Sequence, residues 1–406
     1  MFPAFFVPKV IDHEDEPPSD GSERDGIMAV FSAPVLVAAP IVSTVRRPRL
    51  RVSVDGVVLH GAASVSISSS NYSRPDTWRL QAALGADPLR RMAYWSETNQ
   101  IKVEIALALL PEGAPEGTGP WRPVISGFVD YASIDPVNGW LEAVGRDYGA
   151  VLQDTQTQEN FSNLTASEVA TRIAGRHGFT PQTVATKTLI GAYYQLGHSH
   201  LTDACGTDQT TEWDLLTLLA RQEGYSFWME GKVLHFDPTD PPDVQPIPIV
   251  YAPPGAPSTS PLLSAAGLRV ERDFQRSHGV QVVVQTIQVR SGKALAYRYP
   301  ETTEPSDSGA PQVFTFTRPN LTPDQGQLLA RSAYQDIIRH ERRVEIEMPG
   351  ELSLTPRDLI ALSGTGTAWD QTYWIDSIER QISFDGGFAQ TVIARNHSPK
   401  YQESER

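Results

Sequence analysis

Length, composition and charge limit what this sequence can encode. Its 406 residues exceed one ordinary domain, so two or three are expected, each large enough to bury its own core. The 48 acidic and 34 basic residues give a formal net charge of −14, which argues against a protein that grips nucleic acid through phosphates. Cys205 is the only cysteine, which excludes an internal disulfide and a metal cage built from cysteines of one chain.

Residues 1–47 have the composition of an N-terminal arm. Phe2, Phe5 and Phe6 lie in an apolar stretch that lacks a basic lead and contains prolines, so it does not match a signal peptide. A second apolar stretch, 27–43, is interrupted by prolines and too short for a membrane span, so no transmembrane segment is expected. We predict that the arm is poorly ordered in the free chain and that the three phenylalanines dock on a neighbouring subunit or on the protein's own surface.

Residues 48–152 predict a first small β domain. From 101 to 109 the odd-numbered residues are Ile, Val or Leu and the even-numbered ones are Lys, Glu or Ala, which is the alternation of a strand with one buried face. Asp55-Gly56 and Asn138-Gly139 are turn pairs typical of β-hairpins. The region therefore reads as a meander of short strands.

Residues 153–240 change to a helical pattern. Thr165 and Glu168 have the spacing of a capping box ahead of an apolar stripe. Thr211 precedes a second apolar stripe that Gly224 is suited to end. Two helices followed by a hairpin predict an α+β domain between the β regions.

Residues 241–264 are rich in proline with few periodic apolar residues, so they are predicted to be a connector. The stretch 265–398 predicts a second small β domain, with one helix at 322–340 that begins at a Thr-Pro-Asp-Gln cap. Residues 399–406 form a C-terminal tail. Each half thus combines a β region with a helix, as expected of two related barrels, although no sequence identity between the halves is visible.

Several stretches in this order resemble the hub proteins of contractile injection machines, the late control protein D or phage baseplate hub family. The stretches are Leu354–Gly364, Tyr373–Ile378, Ile382–Phe388, Thr211–Tyr225, and Ser126–Asp130 followed by Gly145-Arg146-Asp147. The resemblance covers about residues 48–398. It implies a mainly β fold with α+β insertions, in which two related, tube-type small β-barrel domains flank an α/β domain.

The resemblance also implies a function without an active site or cofactor. Hubs of this family are homotrimers whose two barrels per chain form a pseudo-sixfold ring, joining a sixfold tail tube to a threefold central spike. The implied partners are the tail tube protein, the spike protein, the tape measure protein and other baseplate proteins. DNA would pass through the ring without specific binding. The implied location is the tail baseplate of a virion assembled in the host cytoplasm.

The sequence contains few candidates for chemistry. His198, His200, Asp203 and Cys205 form the only ligand-like cluster, but no second ligand pair accompanies them, so no native metal site is predicted. The Gly364–Thr367 loop lacks the Gly-Lys-Ser/Thr of a phosphate loop and is predicted to be a tight turn.

A tail-associated cell-wall hydrolase or a carbohydrate-binding module is the alternative function. The two carboxylates of a glycosidase need only spatial proximity, so the sequence leaves such a pair open. Trp369, Tyr373 and Trp374 could stack on a sugar, although aromatic residues at strand spacing more often pack in a core.

A channel that DNA traverses should be acidic or neutral, because each Lys or Arg contact with a phosphate adds affinity. The polar strand faces offer four lining candidates, namely Glu104, Asp130, Glu345 and Glu347. The alternative is that these acids are solvated on the outer wall. Exposed edges of the strands at 101–109 and 344–348 are predicted to make the contacts between chains.

Overall fold

The computed structural model describes residues 46–396, apart from 72–73, 112–119, 158, 160, 162–163, 188, 191–209, 240–244, 255–261, 264, 275–278, 289–291, 303–311 and 319–320.

The first part of the fold is a curved β region. The elements of this part are β1 (Arg46–Val54), β2 (Val57–Val58), β3 (Ala62–Ser70), β4 (Thr77–Ala83), α1 (Met92–Glu97), β5 (Lys102–Pro111), β6 (Arg122–Asp135) and β7 (Trp140–Asp147).

These strands form what we call the first barrel. Six of them pair antiparallel in the order β3-β4-β7-β6-β5-β1, and β1 comes back into contact with β3. Side chains from all six, among them the fully buried Trp78 and Ile105, fill one apolar core. The interior is therefore packed by side chains, as in other small barrels.

One detail of β5 differs from its predicted alternation. The pairing register with β6 shifts between Ile105 and Ala106, which marks a β-bulge. Beyond it Ala106, Leu107 and Ala108 are all buried, Leu110 is buried, and Leu109 is only half-buried. The extra residue of the bulge is Val124 on β6, and Leu107 still packs in the core of the first barrel, so the bulge does not reverse the faces of β5. Leu109 lies near the end of the strand and is only half-buried.

The middle part packs two helices on a small sheet. Its elements are α2 (Ala150–Asp154), β8 (Gln156–Thr157), β9 (Leu164–Thr165), α3 (Ala166–Arg176), β10 (Thr180–Thr183), β11 (Leu189–Ile190), β12 (Thr210–Thr211), α4 (Glu212–Glu223), β13 (Tyr225–Glu230) and β14 (Val233–Pro238). The predicted capping box is present at α3, where Thr165 accepts from the Glu168 backbone N–H and the Glu168 side chain accepts from Thr165 N–H. α4 ends at Gly224 in the left-handed conformation that favours glycine.

The last part contains a second curved sheet and a smaller one. Its elements are β15 (Ile247–Ala252), β16 (Leu262–Leu263), β17 (Gly267–Arg272), β18 (Val280–Gln288), β19 (Lys293–Tyr299), β20 (Gln312–Thr317), α5 (Pro323–Ile338), β21 (Arg342–Pro349), β22 (Leu359–Ser363), β23 (Thr372–Ser383) and β24 (Gly387–Asn396). The order β15-β22-β23-β24-β21-β17 forms what we call the second barrel, with its own core. β18, β19 and β20 form a separate sheet, and α5 packs on β18 and β19.

Strand β15 corrects the prediction for residues 241–264. It pairs in parallel with β22 and buries Ile249, so this stretch is more than a connector. The alternation that marks a strand is short here, and Pro248 within it argued against a strand. Proline is tolerated because β15 lies near the end of the sheet, where it pairs with β16 at only two positions.

The two barrels repeat one topology. In each, the six strands lie in the same spatial order relative to their chain order, although β15 pairs in parallel with β22 while β1 pairs antiparallel with β5. β6 has a bulge at Asp130 and β23 has one at Asp376. Each bulge carboxylate is ion-paired with an arginine of the next strand, Arg146 in the first barrel and Arg395 in the second. When Asp130 is aligned with Asp376 and Arg146 with Arg395, the strand pairings align the rest of the two barrels residue by residue.

The barrels are also joined within the chain. β3 of the first barrel pairs antiparallel with β23 of the second, from Ser70 opposite Ser377 to Ser64 opposite Ser383. Fourteen strands thereby form one continuous sheet. The mainly β fold with α+β insertions predicted from the sequence is confirmed.

The strands predicted to make contacts between chains lie in the interior of this sheet. β5 pairs with β1 and β6, and β21 pairs with β17 and β24. Both strands are paired on both sides along most of their length, so the prediction that the edges at 101–109 and 344–348 make the contacts between chains is wrong. Alternation of apolar residues indicates a buried face, but it does not indicate whether an edge is paired.

No helix in the described part of the chain is long and apolar enough to cross a membrane.

Candidate functional site

The most extensive candidate surface is the outer face of the strands β7-β4-β3-β23-β24-β21-β17, which runs from one barrel to the other without a break. We call it the polar face. Cross-strand pairs connect it row by row, for example Arg79 with Ser66, Ser66 with Gln381, and Thr391 with Glu347. Its exposed or half-buried members include Thr77, Arg79, Gln81, Glu142, Ser66, Glu379, Gln381, Thr391, Arg343, Glu345, Glu347, Arg269 and Glu271.

Charges on the polar face are mixed in sign and largely paired. Arg79 lies 3.4 Å from Glu142 in the first barrel. In the second barrel Glu271 lies 2.9 Å from Arg269 and 3.3 Å from Arg343. Exposed pairs of this kind add little to stability. Their consequence is electrostatic, since an approaching phosphate meets arginines that already have carboxylate neighbours.

Two of the four predicted channel residues, Glu345 and Glu347, lie together on this face, two residues apart on β21. Asp130 lies at its margin, where Arg146 binds both carboxylate oxygens at 2.8 and 3.0 Å. Glu104 lies elsewhere, on β5 in a cleft beside Tyr148. Burial raises the pKa of Tyr148, and the charge of Glu104 raises it further. The structure thus brings together two of the four candidates, with a third nearby.

Arg146 also links the first barrel to the middle part. Besides Asp130 it binds Asp154 at the end of α2, at 3.0 Å. The hydrogen bonds that Arg146 donates to these two carboxylates, first of all to Asp130, raise its pKa, so it stays charged at any accessible pH. Its counterpart Arg395 is more buried and binds Asp376 at 2.5 Å. The sequence analysis did not identify this repeated pair, because neither partner lies near the other along the chain.

A second candidate site is a cleft of about 860 Å³ where the two barrels meet the β13–β14 hairpin. Its lining includes the charged residues Asp76, Asp147, Arg357 and Arg380. Arg357 stacks over Trp228 at 4.3 Å, and Arg380 donates to the Leu354 carbonyl. The cleft therefore joins side chains from all three parts of the chain.

Burial raises the pKa of both carboxyls in the cleft, Asp76 and Asp147. Asp147 accepts hydrogen bonds from the backbone N–H groups of Asp76, at 3.1 Å, and Gly149, at 2.8 Å. Burial and then the charge of Asp76 raise the pKa of Asp147 to about 8. Burial also raises the pKa of Asp76, against the opposing effects of a hydrogen bond from Ser70 and the charge of Arg357. A negative charge on one of these carboxylates makes ionisation of the other unfavourable.

The geometry of this acid pair favours a structural role over catalysis. A general acid must present its proton to a substrate. Asp147 is 7% exposed, and each of its oxygens already accepts a backbone N–H. Two of the residues considered for sugar stacking, Tyr373 and Trp374, are buried at 0% and 3% exposure, and only Trp369 is half-buried.

The Gly364–Thr367 loop is a tight turn held by one carboxylate. Asp370 accepts hydrogen bonds from the backbone N–H groups of Thr365 and Gly366, both at 2.9 Å. Gly364 has φ +93° and lies against the Tyr251 backbone, which a larger residue would meet. Two of the loop's N–H groups are therefore already occupied, as the prediction of a turn rather than a phosphate loop expects.

Two sets of predicted residues lie outside the described part of the chain. They are Phe2, Phe5 and Phe6 of the arm, and the cluster of His198, His200, Asp203 and Cys205. Among the described residues, no group of three His, Cys, Asp or Glu side chains is placed to hold a metal ion.

Comparison with known proteins identifies the fold. No family model and no curated protein matches the sequence. Among solved structures, a tail protein from Neisseria meningitidis MC58 superposes with a TM-score of 0.58 at 15% identity, covering 86% of this chain and 96% of that one. The 43 kDa tail protein of prophage MuSo2 from Shewanella oneidensis has a TM-score of 0.58 at 14% identity, covering 86% and 98%. The chain has the fold of phage tail proteins.

The tail-protein fold also extends beyond these two structures. A chain of the half-lidded Francisella PdpA–VgrG complex superposes with a TM-score of 0.50 at 8% identity, covering 87% of this chain and 59% of that one. At such identities the likeness shows the fold. It confirms the resemblance that the sequence motifs indicated, at the level of architecture.

Proposed function

We propose that the chain is the structural hub of a phage tail or phage-like injection machine. In this role three chains form a ring that joins the sixfold tail tube to the threefold central spike within the virion's tail baseplate. The tail tube and spike proteins are its direct partners, the tape measure and other baseplate proteins are its neighbours, and assembly takes place in the host cytoplasm.

The observation that carries the proposal is the repeated barrel. Each chain presents two barrels of equal strand order, joined side by side through β3 and β23. Three such chains would present six similar units to one partner while repeating only three times as whole chains, which resolves a mismatch between sixfold and threefold symmetry. The tail-protein fold of the structural neighbours supports the same assignment.

The mass of the purified protein tests this proposal. Light scattering over a wide concentration range, with and without spike protein, should give a species of about three times the chain mass of 44.6 kDa. A monomer under all of these conditions contradicts the hub.

Within the ring, we assign the polar face to the channel wall. Its paired arginines and nearly balanced charge suit a passage in which DNA must not bind, because bound phosphates would add friction to transit. We assign Glu345 and Glu347 as lining acids on this face, and the lining roles of all four candidates, including Glu104 and Asp130, stay predictions.

A charge reversal on the polar face tests the channel assignment. The double variant Glu345→Lys and Glu347→Lys should keep its mass but bind short duplex DNA with an affinity that rises steeply as salt is lowered. A matched double variant at exposed acids outside these strands, Glu97→Lys and Asp385→Lys, has the same net charge and should bind less tightly. Equal binding by both variants contradicts the assignment.

The hub acts without catalysis in this proposal. The acid pair in the cleft is the best candidate for a cell-wall hydrolase, so the protein and its Asp147→Asn variant should be incubated with purified peptidoglycan. We expect no bond cleavage from either. Sustained cleavage that the substitution abolishes would favour the hydrolase.

A further inference from the structure

The junction between the two barrels within one chain provides a template for contacts between chains. At this junction β3 of the first barrel pairs with the end of β23 beyond its bulge. Because the barrels repeat one topology, each strand of the junction has a counterpart in the other barrel. The counterpart of β3 is β17, and the counterpart of the β23 segment is the part of β6 that follows Asp130.

Both counterparts have an open side in the single chain. β17 pairs with β21 on one side only, and β6 beyond its bulge pairs with β7 only, among the residues that the structure describes. Apolar side chains are exposed at both places, with Tyr131 62% and Val270 39% exposed. Open strand edges of this kind are templates for pairing with another chain.

We infer that β17 of one chain pairs antiparallel with residues 131–135 of β6 in the next chain, reproducing the β3–β23 junction. Register follows from the template. In the chain, Ser66 lies opposite Gln381, Ile67 opposite Arg380 and Ser68 opposite Glu379. Transferred through the aligned strands, these positions become Arg269 opposite Asp135, Val270 opposite Ile134, and Glu271 opposite Ser133.

The side chains at the transferred positions are complementary. Asp135 and Arg269 have opposite charges, and both are exposed in the single chain. Val270 and Ile134 form an apolar pair beside them. Direct cross-strand pairs of these two kinds stabilise antiparallel sheets, whereas like charges at the same positions would oppose pairing.

The contact is head-to-tail, because different edges of the two copies meet. Such a contact either closes into a ring or continues as a filament. If the same strand pairing joins each chain to the next, first and second barrels alternate around the assembly. A closed ring of three chains then contains six barrels. This inference rests on the proposed trimer and adds which strands hold it together.

Cysteine cross-linking tests the pairing. Ser133→Cys and Glu271→Cys are introduced together into a chain that carries Cys205→Ser, since directly opposed strand positions lie within disulfide range. Oxidation should yield covalent trimers and no larger species. Ser66→Cys with Gln381→Cys, opposed within one chain, serves as the positive control and should close an internal bond. Ser133→Cys with the exposed Thr77→Cys is the negative control.

A proline at the edge provides a second, independent test. Asp273 N–H donates to the Glu341 carbonyl, so by alternation the N–H groups of odd-numbered β17 residues face β21 and that of Val270 faces outward. Val270→Pro removes that outward donor and should give a folded monomer. Val270→Thr retains the donor and should remain a trimer.

The outcomes separate this inference from the proposed function. If the native protein is a trimer but the cysteine pair does not link chains, or Val270→Pro remains a trimer, then the strand pairing is wrong and the hub stands. Cross-linked species that extend beyond three chains overturn the closed ring. A native protein that stays monomeric at every concentration contradicts both.

Discussion

Replacing Asp147 by asparagine should change how the stability of the protein depends on pH. Burial raises the pKa of Asp147 to about 8 in the folded chain, from 3.8 when solvated. Between these values the folded chain retains a proton that the unfolded chain has lost, so its stability falls as pH rises. At about 1.4 kcal/mol per pH unit, the loss between pH 5 and pH 8 is about 4 kcal/mol at most.

The charged neighbours of Asp147 decide how much of this maximum loss of unfolding free energy is realised. Arg357 favours the ionised form, whereas Asp76 opposes it. His235, on the adjacent β14, acts with the opposite sign on the overall profile, because burial lowers its pKa and the folded chain gains stability as pH rises toward 6.5. We therefore expect a difference of about 2–4 kcal/mol between wild type and Asp147→Asn, since the histidine contributes equally to both.

Denaturant unfolding at fixed protein concentration, at pH 5, 6, 7 and 8, measures this effect. The unfolding free energy of the wild type should fall relative to that of Asp147→Asn across the series. Parallel profiles for the two proteins would show that Asp147 is ionised throughout, and the account of the buried acid pair would be wrong.

Three further predictions concern packing and assembly. Gly127→Ala should cost at least about 3 kcal/mol of unfolding free energy or prevent folding, because its Cβ would lie 1.9 Å from the Arg146 carbonyl oxygen, whereas Gly175→Ala in α3 meets open space and should be neutral or stabilising. Arg395→Met removes the ion pair of the buried Asp376 carboxylate and should lower the unfolding free energy by about 3–5 kcal/mol in denaturant titrations. Arg269→Asp and Asp135→Arg should each weaken trimer formation about tenfold by sedimentation, and together they should restore it; failure of the double variant to recover contradicts the charge pair.

Features set by local chemistry could be predicted from the sequence. The capping box at Thr165 and the glycine that ends α4 depend on residues within a few positions of each other, and both are present. The alternating strand at 101–109 was predicted as a strand for the same reason. The β6 bulge opposite Ile105 and Ala106 was not predicted, because a bulge depends on how two strands pair.

Features set by distant partners were missed. β15 was hidden by Pro248, and its pairing with β22 joins residues more than a hundred positions apart. The edges of β5 and β21 were predicted to be exposed, yet both are paired with strands that the local pattern does not identify. One signal was present for the cleft, since Arg380 occupies a core-facing position between Ile378 and Ile382 and is buried. A charged residue in such a position indicates a buried partner but does not identify it.

Electron microscopy of the purified protein tests the central claim most directly. Averaged images viewed down the axis should show a threefold ring with six lobes of similar size around an open centre, because each chain contributes two barrels of one topology. Monomeric particles, particles with twofold symmetry, or rings of three lobes with only one lobe per chain would contradict the hub.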